Sequence, residues 1–321
     1  MSDLGHPELN ERAWALADRA ADGARELRIR ETTLEAGTRV LDFGVDVAGG
    51  LEAGRRLAEI CMAGLGDVSL SQADLEGWWT PAVEVATDHP ALACMASQYA
   101  GWQIAPEGYF AMGSGPARAA AAVETELFEK LDVREDADRA VLVLEAGELP
   151  GDAAARWVAE RAGVDPAALT LVVAPTASLA GGVQVCARSV ETGMHQMVEQ
   201  GFDVHRVVSA FGTAPLAPVA ADDLRAIGRT NDCVLYGGRV HYTVDEDDEV
   251  LEELAASLPS ENSPDYGRPF HEVFESYDRD FYEIDPALFA PAEIWITGTR
   301  SGRSFHGGGV DVEVLRRSLL G

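Results

Sequence analysis

The stretch most able to carry chemistry is LVVAPTASLAGGVQVCARSVETG, residues 171–193. Its apolar opening reads as a buried strand, its Thr/Ser/Gly middle as a loop, and the rest as a helix beginning near Gly182. Such a loop turns backbone N–H groups toward a ligand, and a helix N-terminus favours negative charge. On a wheel of about 100° per residue, Cys186, Val190, Met194 and Met197 fall on one side as a core stripe. Gln184, Arg188, Glu191 and His195 fall on the other. Two readings of this polar side stand together: a solvated helix face, or a ligand-facing one. Arg ahead of Glu is the weaker order for a helix-surface pair, and the stripe follows a strand's carboxyl end, where open α/β sheets place ligands. Both details favour a site.

A second candidate is GSGPAR, 113–118. Ser114 and Pro116 suit an ordinary helix start. The same glycines also let a phosphate or ring oxygen approach the backbone near Arg118. In TDHPA (87–91), Asp88 and His89 precede a proline, the pattern of a turn or N-cap. Tyr109, Phe110 and Trp102 suit stacking on a flat heterocycle, or plain core. Several chemistries are excluded. GK[ST] and GxGxxG are missing; HEVFE (271–275) lacks the second histidine of a zincin. No zinc-deaminase pair, GxSxG elbow or EF-hand spacing is present. The acidic run 245–248 reads as a solvated turn.

The elements that must position these residues alternate in type. A helix is expected over about 7–29, a strand in TRVLDFGVDVAGG, and a helix in LEAGRRLAEICMAGLG. HPALACMASQYAG reads as helical after Asp88, and GYFAMGSGPARAAAAVETELFEKL as a glycine loop running into a long helix. AVLVLEA (140–146) and LTLVVAP (169–175) have the composition of buried strands, and a helix at 151–163 between them gives βαβ rhythm. HRVVSAFG (205–212) resembles a third such strand. Gly237-Gly238 between two alternating runs signals a hairpin, 249–257 a helix, and EIWITGTRSGRSFHGG another hairpin. The fold class is α/β with mixed α+β character: two intertwined domains, mixed sheets flanked by helices, a cleft between them. The expected limits are 1–65 with 220–321 as a discontinuous domain built from both termini, and 66–219 as a central one.

Composition narrows the partners. With 321 residues and 47% hydrophobic content the chain can bury a real core. No window has the 18 or more uncharged apolar residues of a membrane span, and the charged N-terminus is no signal peptide, so a cytoplasmic location is expected. Acids number 54 against 25 bases, for a net charge of −29, and Lys130 is the only lysine. Such a surface repels nucleic acid and anionic lipid and suits a salt-rich cytosol that screens it. Cys61, Cys94, Cys186 and Cys233 are widely separated, which fits small core residues and neither a zinc site nor a disulfide framework.

Taken in order, DFGVDVAGGLEAG (42–54), TDHPA (87–91), AGWQ (100–103), YFAMGSGPARA (109–119), VAPTAS (173–178), VQVCARSVETG (183–193), GTAPLAPVAADDLRAIGRTNDCVLYGG (212–238) and DFYEIDPALFAPA (280–292) resemble one family: methenyltetrahydromethanopterin cyclohydrolase. These segments span nearly the whole chain. The resemblance implies an archaeal-type, salt-adapted enzyme of one-carbon metabolism. It implies a homotrimer of two-domain α/β subunits with the pterin between domains, and no metal or prosthetic group. The reaction implied is reversible hydrolysis of the cationic 5,10-methenyl bridge to the 5-formyl form.

The family's catalytic pair, an Arg and a Glu three residues apart on a helix, falls on Arg188 and Glu191. The implied roles are Glu191 accepting a proton from water and Arg188 holding that carboxylate. Thr176, Ser178 and Gln184 are expected near the water, Ser114 and Arg118 toward the pterin or its tail, and Asp88 among the substrate contacts. A non-catalytic pterin-binding homologue, or the same reaction on a tetrahydrofolate carrier, are the alternatives.

Overall fold

The computed structural model describes residues 8–106, 108–281 and 283–320. In chain order its strands are β1 (Arg30–Thr33), β2 (Arg39–Asp42), β3 (Asp67–Leu75), β4 (Trp78–Thr87), β5 (Trp102–Ile104), β6 (Ala111–Ser114), β7 (Ala140–Glu145), β8 (Leu169–Ala174), β9 (Val207–Pro215), β10 (Arg239–Val244), β11 (Glu293–Gly298) and β12 (Ser304–Gly308). They form two six-stranded mixed sheets, each belonging to one of two compact units.

The first unit comprises residues 1–65 and 92–181, with strand order β1-β2-β8-β7-β6-β5. Its centre is parallel: β2 pairs with β8 and β8 with β7. The unbroken apolar runs of β7 and β8 follow from cover on both faces. Val40, Leu142, Leu144, Leu171 and Val173 pack with Ala155, Val158 and Ala162. The alternate positions Leu41, Val141, Val143 and Val172 pack with Ala13, Ala17, Leu57 and Ile60. The helix Asp152–Ala162 makes the crossover between β7 and β8, as the βαβ pattern requires.

The second unit comprises residues 66–91 and 182–321, with strand order β12-β11-β10-β9-β4-β3. Only β10 and β11 pair in parallel. One face is packed by helices. The other presents Phe211, His241 and Trp295, side by side in register and all exposed, the alternation of a mainly antiparallel sheet.

The expected domain limits differ from this division. The break after Leu65 coincides, but the N-terminal segment joins 92–181 and not 220–321, because β2 inserts beside β8. Pairing between distant strands leaves no mark in the composition of either. HRVVSAFG is a strand, yet it belongs to the second sheet and pairs antiparallel with β4 and β10. Gly237-Gly238 makes no hairpin: Asp223–Leu235 is helical and runs straight into β10. A Cβ on Gly237 would meet Pro215 at 2.8 Å and one on Gly238 the Val234 carbonyl at 2.5 Å, so the glycines serve a tight helix-to-strand junction.

The first helix spans Leu9–Asp22, with a further turn at Ala24–Leu27, and Pro7 lies outside the described residues. The long helix expected after GSGPAR is two short ones, Ala117–Ala121 and Thr125–Leu131, parted where Ala122 turns left-handed at φ 44°. HPALACMASQ coils as a π-helix over Ala91–Gln98, a form frequent at functional sites. The helices Leu51–Cys61 and Asp248–Ser257 and the β11–β12 hairpin follow expectation. Among the described residues no helix is long and apolar enough to cross a membrane.

Candidate active site

The helix expected to begin near Gly182 is two helices, Leu179–Cys186 and Ser189–Glu199, with a break at Ala187–Arg188. Arg188 stands at the N-cap position of the second helix (φ −92°, ψ 8°), and Glu191 lies in its first turn, where the helix dipole stabilises a negative side chain. The Arg188 Nη1 is 3.7 Å from Glu191 Oε2. Neither group faces water: Arg188 is 7% exposed, Glu191 5% and Gln184 3%. The solvated-face reading is therefore overturned for these three residues. The core stripe of Cys186, Val190, Met194 and Met197 is wholly buried, as its spacing demands.

The second unit grips the helix that carries Glu191. A Cβ on Gly193 would collide with the Tyr242 hydroxyl, and one on Gly212 would lie 2.6 Å from Ser189 Oγ and 2.8 Å from Val190. These two glycines let the helix press onto β9 and β10. Tyr242 Oη then donates to the Val190 carbonyl at 2.8 Å. Gln196 Nε2 donates to the carbonyls of Pro286 and, at 3.4 Å, Phe289. A buried guanidinium and carboxylate held this way are costly to separate, because each charge has been withdrawn from water.

In the first unit, Ser178 Oγ accepts from Gly181 N at 3.0 Å and donates to the Pro175 carbonyl at 2.8 Å, which starts the helix Leu179–Cys186. Thr176 Oγ1 donates to Glu145 Oε1. Ser114 Oγ lies 3.2 Å from the Cys61 thiol in the core. Arg118 is completely buried, and its guanidinium is engaged by protein. Nε bonds Glu124 Oε1 at 2.7 Å, and Nη1 bonds the carbonyls of Met95 at 3.0 Å and Ser97 at 3.2 Å. The Tyr99 and Phe128 rings lie 5.1 and 5.3 Å from it. This arginine ties down the end of the π-helix through Nε and Nη1, while its Nη2 is buried without a hydrogen-bond partner among the described residues. In the second unit, Asp88 is exposed in the bend after β4, where Thr87 Oγ1 accepts from His89 N at 3.0 Å.

Two residues escaped the sequence reading. Glu145 closes the strand AVLVLE, and a carboxylate ending a run of five apolar residues was its visible signal. Tyr242 was hidden in an ordinary alternating strand. Among the described residues no cluster of three or more His, Cys, Asp and Glu side chains is placed to hold a metal ion.

The family model for cyclohydrolase (MCH) matches residues 8–319. Methenyltetrahydromethanopterin cyclohydrolase of Methanococcoides burtonii is 42% identical over 312 residues, 97% of this chain and 98% of that protein. The protein of the same name from Methylobacterium organophilum is 44% identical, covering 98% of each chain. That from Methanococcus maripaludis is 48% identical over 298 residues, 92% of each. Relatives occur in bacteria as well, so the archaeal-type expectation is narrower than the similarity supports.

Proposed function

The chain belongs to the methenyltetrahydromethanopterin cyclohydrolase family and is a hydrolase of a cyclic C–N bond, and from that premise we propose how its own residues open the methenyl bridge of tetrahydromethanopterin. The observation that carries the proposal is the buried Arg188–Glu191 pair.

The bridge carbon lies between two nitrogens and shares their positive charge, so it is electrophilic without further activation. Glu191 takes a proton from water as the water oxygen bonds to that carbon. The neutral adduct then collapses. The bond from carbon to N10 breaks, N10 receives the proton held by Glu191, and the adduct's remaining O–H proton leaves to solvent. The formyl group stays on N5. One cation and one water thus give one formyl amine and one proton, and every step reverses. A buried carboxylate also favours the cationic substrate electrostatically. Arg188 fixes the carboxylate's direction and offsets the cost of burying it.

General-base help is worth ~10²–10⁴-fold. Glu191→Gln should therefore lose at least about a hundredfold in turnover while still binding substrate. The reaction is followed by loss of the near-ultraviolet band of the methenyl pterin. Retention of most activity removes Glu191 from the mechanism, and a wild-type protein that binds without turnover marks a non-catalytic homologue.

The remaining expectations join the proposal. Because the substrate's own charge activates it, the reaction needs no metal or prosthetic group. Dialysis against a chelator should then leave turnover intact, and loss restored by a divalent cation would overturn this. A homotrimer and a cytoplasmic, salt-adapted setting are proposed on family resemblance and charge. Light scattering that gives another subunit count would remove the trimer.

A further inference from the structure

Two strands of the first unit's parallel centre end in carboxylates, and the two are used differently. Asp42, last in β2, is buried and accepts from Gly44 N at 2.9 Å, Val45 N at 2.7 Å and Asp46 N at 2.9 Å. Its charge is spent on holding the loop that follows. Glu145, last in β7, is only part-buried and bonds the Thr176 hydroxyl through Oε1. Among the described residues no Arg, Lys or His pairs with it. A carboxylate has about four acceptor positions, and one hydroxyl fills one of them. Glu145 is thus a part-buried acceptor with spare capacity, in a sheet whose other strand-end carboxylate is engaged by three backbone N–H groups.

Its place in the sheet points outward to a ligand. Glu145 pairs with Ala174 at the end of β8 on one side and with Met112 of β6 on the other. The parallel β8–β7 ladder therefore meets an antiparallel one at this strand, and ligands of open α/β sheets bind beyond the carboxyl ends of parallel strands. Phe110, just ahead of Met112 toward the same edge, leaves its side chain 61% exposed. An acceptor pair and an open aromatic ring at one sheet edge suit a flat heterocycle that carries donors on its rim.

A reduced pterin is such a heterocycle. Its pyrimidinone edge presents the N3–H and the 2-amino group side by side, a two-donor fork like that of a guanidinium, which a carboxylate matches with two parallel bonds. We propose that Glu145, oriented by Thr176, reads this edge of the pterin ring, with Phe110 against the ring. The inference rests on the reading above that the substrate is a reduced pterin. It adds a positioning residue for the ring, separate from the pair that acts on the bridge. Thr176 accordingly serves the pterin through Glu145 and not the attacking water.

The test compares wild type, Glu145→Gln, Glu145→Asp and Thr176→Val. Affinity for bridge-free tetrahydromethanopterin is measured by calorimetry, kcat and KM by the optical assay, and folding by thermal melting. Glu145→Gln should raise both Kd and KM by about tenfold or more, since an amide meets one of the two donors with another N–H. Its kcat at saturation should stay within about threefold and its melting temperature should not move. Thr176→Val should show a smaller rise of the same kind, and it carries the test should Glu145→Gln fail to fold. Unchanged Kd and KM overturn the proposal. So does a loss confined to kcat, and so does a loss of affinity that merely tracks a fall in melting temperature, which would mark Glu145–Thr176 as a structural tie. A wild-type protein that binds the carrier but does not open the bridge defeats the catalytic reading alone, because the calorimetric arm still reports on Glu145.

Discussion

Arg188 and Glu191 face each other across the start of a helix, at 3.7 Å, with both side chains withdrawn from water. Arg188 precedes the first helical residue and Glu191 sits in the first turn, so their relative direction is set by the break at Ala187–Arg188. Lysine has a point charge in place of a planar fork, so Arg188→Lys should lower kcat by at least about tenfold. Because residues acting as a unit are not additive, Arg188→Gln combined with Glu191→Gln should be no slower than the worse single variant, within about threefold. Turnover of the four proteins in one assay decides it, and multiplicative losses would mean the two residues act separately.

Arg118 offers the opposite expectation. Its guanidinium has no exposed surface and holds Glu124 and the π-helix carbonyls. Arg118→Ala should cost about 3–5 kcal/mol of stability, since it leaves Glu124 partly buried and unpaired. Activity per folded molecule should persist. Denaturant titration beside kcat distinguishes this from a ligand contact, which would raise KM without loss of stability.

A steric test falls on Gly193, which lies against the Tyr242 hydroxyl. Gly193→Ala should destabilise the protein by about 1–3 kcal/mol through overpacking and shift the helix that bears Glu191. In a Tyr242→Phe background the added cost should shrink, because the clashing oxygen is gone. Equal costs in both backgrounds, measured by a double-mutant cycle, would show that the contact does not limit the packing.

The buried Asp232 predicts a pH dependence. Burial pushes its carboxyl up from 3.8 to about 7, against the opposing bond from Phe270 N. The native state then holds a proton that the unfolded chain has already lost between pH of about 4 and 7. This contribution is fully present below about pH 4 and is lost as pH rises through 7. Asp232→Asn should remove this slope and leave the variant more stable than wild type at pH 8, by an amount on the order of a few kcal/mol. Denaturation midpoints of both proteins at pH 5 and pH 8 check the sign. Wild type that gains stability over this window relative to the variant would reverse the argument.

Salt should matter as well. With a net charge of −29, mutual repulsion of carboxylates is relieved by ions over a few ångströms at molar strength. Melting temperature should fall as salt is removed, and identical melting at low and molar salt would end the salt-adaptation reading.

The chemistry was legible in the order of residues and the geometry was not. Arg188, Glu191 and the strands AVLVLE and LTLVVA announce themselves locally, because side-chain type, spacing and hydrophobic period are properties of neighbouring residues. Ser178 at the head of a helix does not, because the helix starts at Leu179, ahead of the Gly182 at which its pattern begins. Burial of the Arg–Glu pair, the break that orients it, the burial of Arg118 and the bond between Glu145 and Thr176 could be decided only by the fold. Each depends on segments that meet across long loops: β2 with β8, Tyr242 with Gly193, the π-helix with Arg118. The sequence by itself determined which groups are present and which helix or strand would carry them. Tertiary structure alone decided which of those groups lose their water, because desolvation is a property of everything packed around a residue and not of the residue.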